Sequence, residues 1–427
     1  MCRARQPPGG ARANRAALCW PAHSSIQEAG MKISEPMRAA PHSPVPPLLR
    51  LGMRPFYPAG AAFGALAMLM WLAALHGVPA AGRVASMSGL LWHVHEMIFG
   101  FAAAIVVGFL LTAVRAWTSR DTLRGGALAA LWLWWAAGRV LIWSGPWAVA
   151  AVVDSLFLPI TALVLLRVLV AAGNRRNVFL PVVLALFGVL DALFQWYAAA
   201  GRADLALRTA YAATGLVVFF VVVITGRVVP MFTMNAIPGF TLRRFRVVER
   251  LAAPAAVLTL GADAAGAPPA LLVAAGAATA LLHAARIVGW RSWRVGNRPI
   301  LWILHVSCLW IPAGFALLAL ASAGVVPHSL ALHALTVGAI GGAIIAMVTR
   351  TALGHTGRKL VAGRWERSCY WLMIAAALLR VFGPLVPAVP YMAWIDASGG
   401  CWIVAFLVYT IRYTPFLMKP RVDGRVD

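Results

Sequence analysis

Two imidazoles and a carboxylate stand close together at the start of a long apolar segment, in Trp92-His93-Val94-His95-Glu96-Met97-Ile98-Phe99-Gly100-Phe101. Ionisable groups are costly in hydrocarbon and mark functional sites by default. Neutral imidazole is a preferred ligand of haem iron, copper and other transition metals. On a helix, residues three apart share a face and residues two apart do not. His93 and Glu96 are therefore expected together, with Glu96 fixing the tautomer of His93, while His95 points elsewhere. Either the two histidines serve different sites or the helix is irregular there. His333 opens His-Ala-Leu-Thr-Val-Gly-Ala-Ile-Gly-Gly, His305 ends Trp-Ile-Leu-His, and His355 lies in Gly-His-Thr-Gly-Arg. The metal-ligand candidates are His93, His95, His305, His333 and His355.

These residues need a scaffold, and composition names its class. Of the 427 residues, 61% are hydrophobic and only 12% charged, with mean hydropathy +0.80; a soluble domain carries about 25% charged residues. Apolar runs long enough to cross a bilayer lie near 56–77, 88–114, 125–142, 146–171, 178–199, 205–229, 249–264, 268–288, 299–323, 328–350, 366–387 and 389–417. The seventh is short and interrupted by Gly261 and Asp263. The pattern predicts an all-α polytopic membrane protein of about twelve transmembrane helices, forming a single domain over 51–417. A basic extension over 1–50, rich in Arg, Pro, Ala and Ser, reads as disordered; 418–427 reads as a short cytoplasmic tail.

Charge alternates between loops. Arginines crowd after the second, fourth, sixth, eighth and tenth spans, as in Arg243, Arg244, Arg246 and Arg250, while the opposite loops hold little beyond Arg83 and Arg202. The positive-inside rule then makes both termini cytoplasmic. The net charge of +24 sits in these short loops, so a nucleic-acid interface, which would need a soluble basic domain, is excluded. None of the five cysteines forms a CxxC or CxxCH motif, so any haem is held non-covalently and no disulfide framework is expected.

This topology brings His93, His95, Glu96 and His333 into the outer half of the bilayer, with Arg139, Asp154, Asp191, Arg380 and Asp396. Arg139 and Asp154 face each other across a short turn and are the expected ion pair; alternatively Arg139 or Arg380 grips a haem propionate with its planar fork. His305 and His355 fall towards the cytoplasmic side. The small residues after His333 suit close helix packing or a flat cofactor. A faint repeat aligns His95-Glu-Met-Ile-Phe-Gly with His333-Ala-Leu-Thr-Val-Gly, and Thr225-Gly226-Arg227 hints at a third, four spans apart.

Several segments in this order resemble the NnrS family of bacterial membrane proteins, from about Leu51 to Arg412: Leu-Gly-Met-Arg-Pro-Phe (51–56), the Trp92–Phe101 run, Gly-Phe-Leu-Leu-Thr-Ala-Val (108–114), Gly-Arg-Val-Val-Pro (226–230) and the run from His333 with Met347–Arg358 behind it. The resemblance implies a twelve-helix inner-membrane protein containing haem, expected as haem b, and copper, associated with nitric oxide and denitrification. The family's usual Pro-Asn-Trp-Thr-Gly after the second span is Arg115-Ala-Trp-Thr-Ser here, which puts any role of that loop in doubt. Two rival readings stand beside it. One is a secondary transporter using Arg139, Asp154 and Asp191. The other is a metal or haem chaperone for a respiratory reductase. Whether the protein turns over a substrate is left open by its sequence.

Overall fold

With no water in the hydrocarbon to satisfy backbone N–H and C=O groups, a lipid-exposed chain must form helices or a closed barrel, and this one forms helices. The computed structural model describes residues 44–78 and 87–425. Most of the expected basic extension, and Arg83, Cys2 and Cys19, lie outside the described residues. Twelve long helices follow in order: α1 Met53–Leu75, α2 Gly89–Thr118, α3 Gly125–Ser144, α4 Trp147–Ala171, α5 Phe179–Ala199, α6 Ala203–Ala236, α7 Arg246–Ala265, α8 Pro269–Gly289, α9 Pro299–Ser322, α10 His328–His355, α11 Arg364–Phe382 and α12 Tyr391–Leu417. Strands are absent among the described residues. Large apolar side chains such as Val140, Leu258, Leu281 and Ile411 are left on the outside, where lipid rather than water solvates them. The protein is a multi-pass membrane protein.

Eleven of the helices are long and apolar enough to cross a membrane; α7 is the exception. Its charges explain this: Arg246, Glu249 and Arg250 crowd its first turns and Asp263 its end. Yet α7 has 20 residues, about 30 Å at 1.5 Å per residue, and runs antiparallel to α8. Glu249 meets Arg286 at 2.9 Å, the Ala252 carbonyl meets His283 at 3.1 Å, and Thr259 meets Thr279 at 2.8 Å. At its far end Asp263 bonds His328 at 3.0 Å. Glu249 and Asp263 are thus matched by α8 and α10 while Arg246 and Arg250 stay exposed, and α7 packs as the seventh of the twelve helices.

Two helices depart from regular geometry in the same way. α2 is α-helical over Gly89–His95, π-helical over Glu96–Ala102 and α-helical over Ala103–Thr118. α10 repeats this with His328–His333, a π segment Ala334–Gly341, and Gly342–His355. The backbone thus shares the echo between the segments after His95 and His333. α6 is α-helical throughout, so the third echo has no counterpart. Single π turns are rare and concentrate at functional sites.

The small residues after His333 serve packing. A Cβ on Gly341 would fall 2.7 Å from the Trp402 ring of α12, and one on Gly342 2.9 Å from Ser307 of α9. The C-terminal tail is tied down rather than loose: Arg54 donates to the carbonyls of Leu417 and Lys419 at 2.6 and 2.9 Å, and Val422 N–H donates to the Thr356 carbonyl at 3.1 Å. Arg421, bonded to Asp423, holds that carboxyl down at about 2.

The packing of α1 on α2 yields a test. A Cβ on Gly64 would lie 2.5 Å from the Phe101 ring, and Phe101 is itself wedged against Trp402 and Phe406. Gly64→Ala is expected to lower stability by about 1–3 kcal/mol, as overpacking does, read as the unfolding midpoint in mixed micelles. Gly126→Ala, with nothing within 4 Å of its added carbon, is expected to be neutral or slightly stabilising.

Candidate functional site

α2 presents chemistry on two sides. His93 faces a cavity of about 280 Å³, lined by α1, α2, α6, α10, α11 and α12, whose lining also includes His333 and Arg380. The remaining lining is mostly apolar and aromatic, with Trp71, Phe101 and Trp402, and with the thioethers of Met68, Met97 and Met392. Trp71 stacks on the His93 ring at 4.7 Å between centroids, 12° from parallel, which fixes the imidazole plane. The buried His93 Nδ1 has no hydrogen-bond partner. His333 Nδ1 lies 2.7 Å from the Ser329 carbonyl one turn back. A carbonyl only accepts, so Nδ1 carries the proton and the lone pair is left on Nε2. That is the arrangement of metal-ligating histidines, whose second nitrogen donates to a carbonyl or carboxylate. Arg380 Nη1 is buried and has no partner either.

His95 goes the other way. It is fully buried, with Nδ1 3.3 Å from Glu96 and Nε2 3.2 Å from Asp154 and 3.0 Å from Asp191. Arg139 donates to Glu96 at 2.5 Å and also bonds Asp154. Gln195, one turn after Asp191, donates to Asp191 at 3.1 Å. Four helices, α2 to α5, thus meet in one buried ionic network. Gly100 permits it: a Cβ there would fall on Glu96 and 2.8 Å from Arg139. Phe99, Phe187 and Phe194 close the apolar side around His95.

The candidate residues therefore separate into groups. His93, His333 and Arg380 share the cavity. His95, Glu96, Arg139 and Asp154 share the network, so Arg139 is committed to two carboxylates and does not reach the cavity. Glu96 turns to His95 and Arg139 rather than to His93. On an ideal helix residue 96 is about 60° from 93 and about 100° from 95, and the Arg139 guanidinium draws the flexible carboxylate to the second. His305 is elsewhere, its Nε2 3.0 Å from Thr233 and Nδ1 2.8 Å from Ser292, with both nitrogens taken by hydroxyls. His355 ends α10 on the far side, its carbonyl bonded to Arg421 at 3.1 Å. Of the remaining outer charges, Asp396 pairs with His76 at 2.9 Å in an exposed position.

Sequence reasoning placed Asp191 at the right depth without joining it to His95, and it missed Gln195. The spacing of Asp191 and Gln195, four residues apart on one helix face, was the available signal. Nothing in the sequence marks Trp71 as the residue against His93.

The family described as NnrS protein matches residues 47–421, nearly the whole chain. The chain belongs to the NnrS family. No curated protein matches it. All the residues of the cavity and the network lie within the NnrS match, from α1 to α12, so both features belong to the family's own domain in this chain and not to an added segment.

The network's electrostatics can be tested directly. Removing one partner of a buried pair strands the other charge and costs about 3–5 kcal/mol. Arg139→Met is expected to destabilise by that amount in detergent unfolding. Arg124→Ala, which breaks an exposed pair with Asp121, is expected to cost under about 1 kcal/mol.

Proposed function

We propose that this NnrS-family protein binds a b-type haem in the cavity shared by His93 and His333, and acts in the response to nitric oxide in a bacterial inner membrane. Family membership supports a membrane protein related to the nitric oxide response. The observation that carries the haem reading is the donor set. His333 is held as the Nδ1–H tautomer by the Ser329 carbonyl, a second imidazole lines the same space, and an arginine there has an unpartnered Nη1. Neutral imidazole is a ligand that would hold a haem iron, so His93 and His333 are the residues that would do so, and the Arg380 fork would suit a propionate. The apolar, aromatic walls suit the macrocycle.

Each residue has a definite task. Trp71 keeps the His93 ring in one plane. The Ser329 carbonyl holds the His333 proton on Nδ1, so that Nε2 stays a donor of electrons. Arg380 supplies the positive charge that an anionic group needs in a low-dielectric site. The mostly apolar lining disfavours water. When bound, haem iron supplies a site for nitric oxide. The thioethers of Met68, Met97 and Met392 in the same lining are the soft donors that a copper ion favours, and any copper is proposed there.

The rival transporter reading would use Arg139, Asp154 and Asp191, which form ion pairs within the network with His95, and ion-dependent uptake in vesicles would favour it. A role as a metal or haem chaperone differs in one observable: deleting the gene would lower a partner reductase's activity.

His93→Ala and His333→Ala are each expected to lose most of the haem on purification, measured as haem per chain. Arg380→Leu is expected to weaken haem retention by roughly ten- to a hundredfold, the loss of a charge-assisted bond of about 1.5–3 kcal/mol. Normal haem content in both histidine variants would refute the assignment.

A further inference from the structure

We infer that His95, Asp154 and Asp191 form a buried binding site for one divalent first-row metal ion, separate from the haem cavity and independent of what that cavity holds. Three electron-rich atoms converge there: His95 Nε2 lies 3.2 Å from Asp154 Oδ2 and 3.0 Å from Asp191 Oδ1, and all three residues are buried. Such atoms repel one another unless a cation sits among them, and only a proton or a metal ion is small enough. Spacings near 3 Å are the edges of a coordination polyhedron whose metal–ligand bonds are about 2.0–2.2 Å long.

Charge favours the metal ion. Glu96, Asp154 and Asp191 bring three negative charges, and Arg139 brings one positive charge. A proton on His95 leaves the network one charge negative in the interior of a membrane protein. A divalent ion with a neutral imidazole balances it at once, where protons alone require a second one on a carboxylate, and buried charge is tolerated where it is matched. The second nitrogen agrees. His95 Nδ1 faces Glu96 at 3.3 Å, the carboxylate–histidine–metal arrangement that keeps the proton on Nδ1 and frees Nε2.

Gln195 is the independent sign of a ligand. It is fully buried, its Nε2 lies 3.1 Å from Asp191 Oδ1, 3.3 Å from Ser155 Oγ and 3.5 Å from Asp154 Oδ2, and its Oε1 has no partner. Amide oxygen and nitrogen are assigned by their hydrogen bonds alone. Turned by half a rotation, the amide points that orphan oxygen into the cluster as a fourth donor. One nitrogen and otherwise oxygen donors, with no thiolate or thioether, select a borderline-to-hard divalent ion such as zinc, manganese or ferrous iron.

The test is the metal content of the protein as purified in chelator-treated buffer, with haem iron measured separately. About one equivalent of a divalent metal per chain, beyond haem iron, is expected in the wild type. It should be lost in Asp191→Asn and in Asp154→Asn that still elute as monodisperse helical protein. Wild-type protein from manganese-rich, zinc-depleted medium needs no substitution: a bound Mn(II) resonance surviving gel filtration supports the site. Wild-type protein with no such metal in either preparation, or variants that keep the full equivalent, would overturn it and leave a hydrogen-bonded imidazolium network. Absence of haem with the metal retained would count against the cavity reading alone.

Discussion

Hydrocarbon offers no hydrogen bonds, and everything polar inside this bundle is arranged around that fact. The network of His95, Glu96, Arg139, Asp154, Asp191 and Gln195 ties α2, α3, α4 and α5 at one depth, because each of its members would be prohibitively costly alone. The same rule makes the exceptions informative. His93 Nδ1 and Arg380 Nη1 are buried polar atoms without partners, and both side chains line the cavity of about 280 Å³. Their donors stand where a polar ligand can meet them.

α2 holds these two regions apart. Its π segment begins at Glu96, directly after the histidine pair, and frees the helix from a simple facing rule. His93 keeps the cavity, His95 and Glu96 keep the network, and Gly100 gives Arg139 room to lie against the helix backbone. α10 repeats the device after His333. The two π-bearing helices carry the two cavity imidazoles, so the local irregularity and the proposed ligand set are parts of one design. Because α2 is common to both regions, the ionic network on one face sets the rotation of the helix that presents His93 on the other.

Much of this was legible in the sequence. The apolar runs and the alternating arginine loops fixed the order of the helices, since length and charge are averaged over many residues. The Arg139–Asp154 pair was legible because a short turn leaves those two positions few other partners. The small residues after His333 were legible as packing for a similar reason: Gly341 and Gly342 can only relieve crowding. The direction of Glu96 was not. An α-helical wheel assigns it to His93, and only the tertiary position of Arg139 draws it to His95. α7 shows the same limit, since its hydropathy cannot reveal that Arg286 and His328, far along the chain, match Glu249 and Asp263. His305 and His355 stood out as polar residues, but partner hydroxyls and chain ends come from the fold rather than from spacing.

The central claim is that the cavity between α2 and α10 holds a haem, and the optical spectrum of the detergent-purified wild-type protein tests it most directly. The spectrum is taken as isolated, after dithionite, and after nitric oxide. The account predicts a Soret band from a haem extractable by acidified solvent, since the chain has no CxxCH attachment motif, and a shift of that band with nitric oxide. A protein that is colourless as isolated, and stays colourless after haem is supplied, would contradict it.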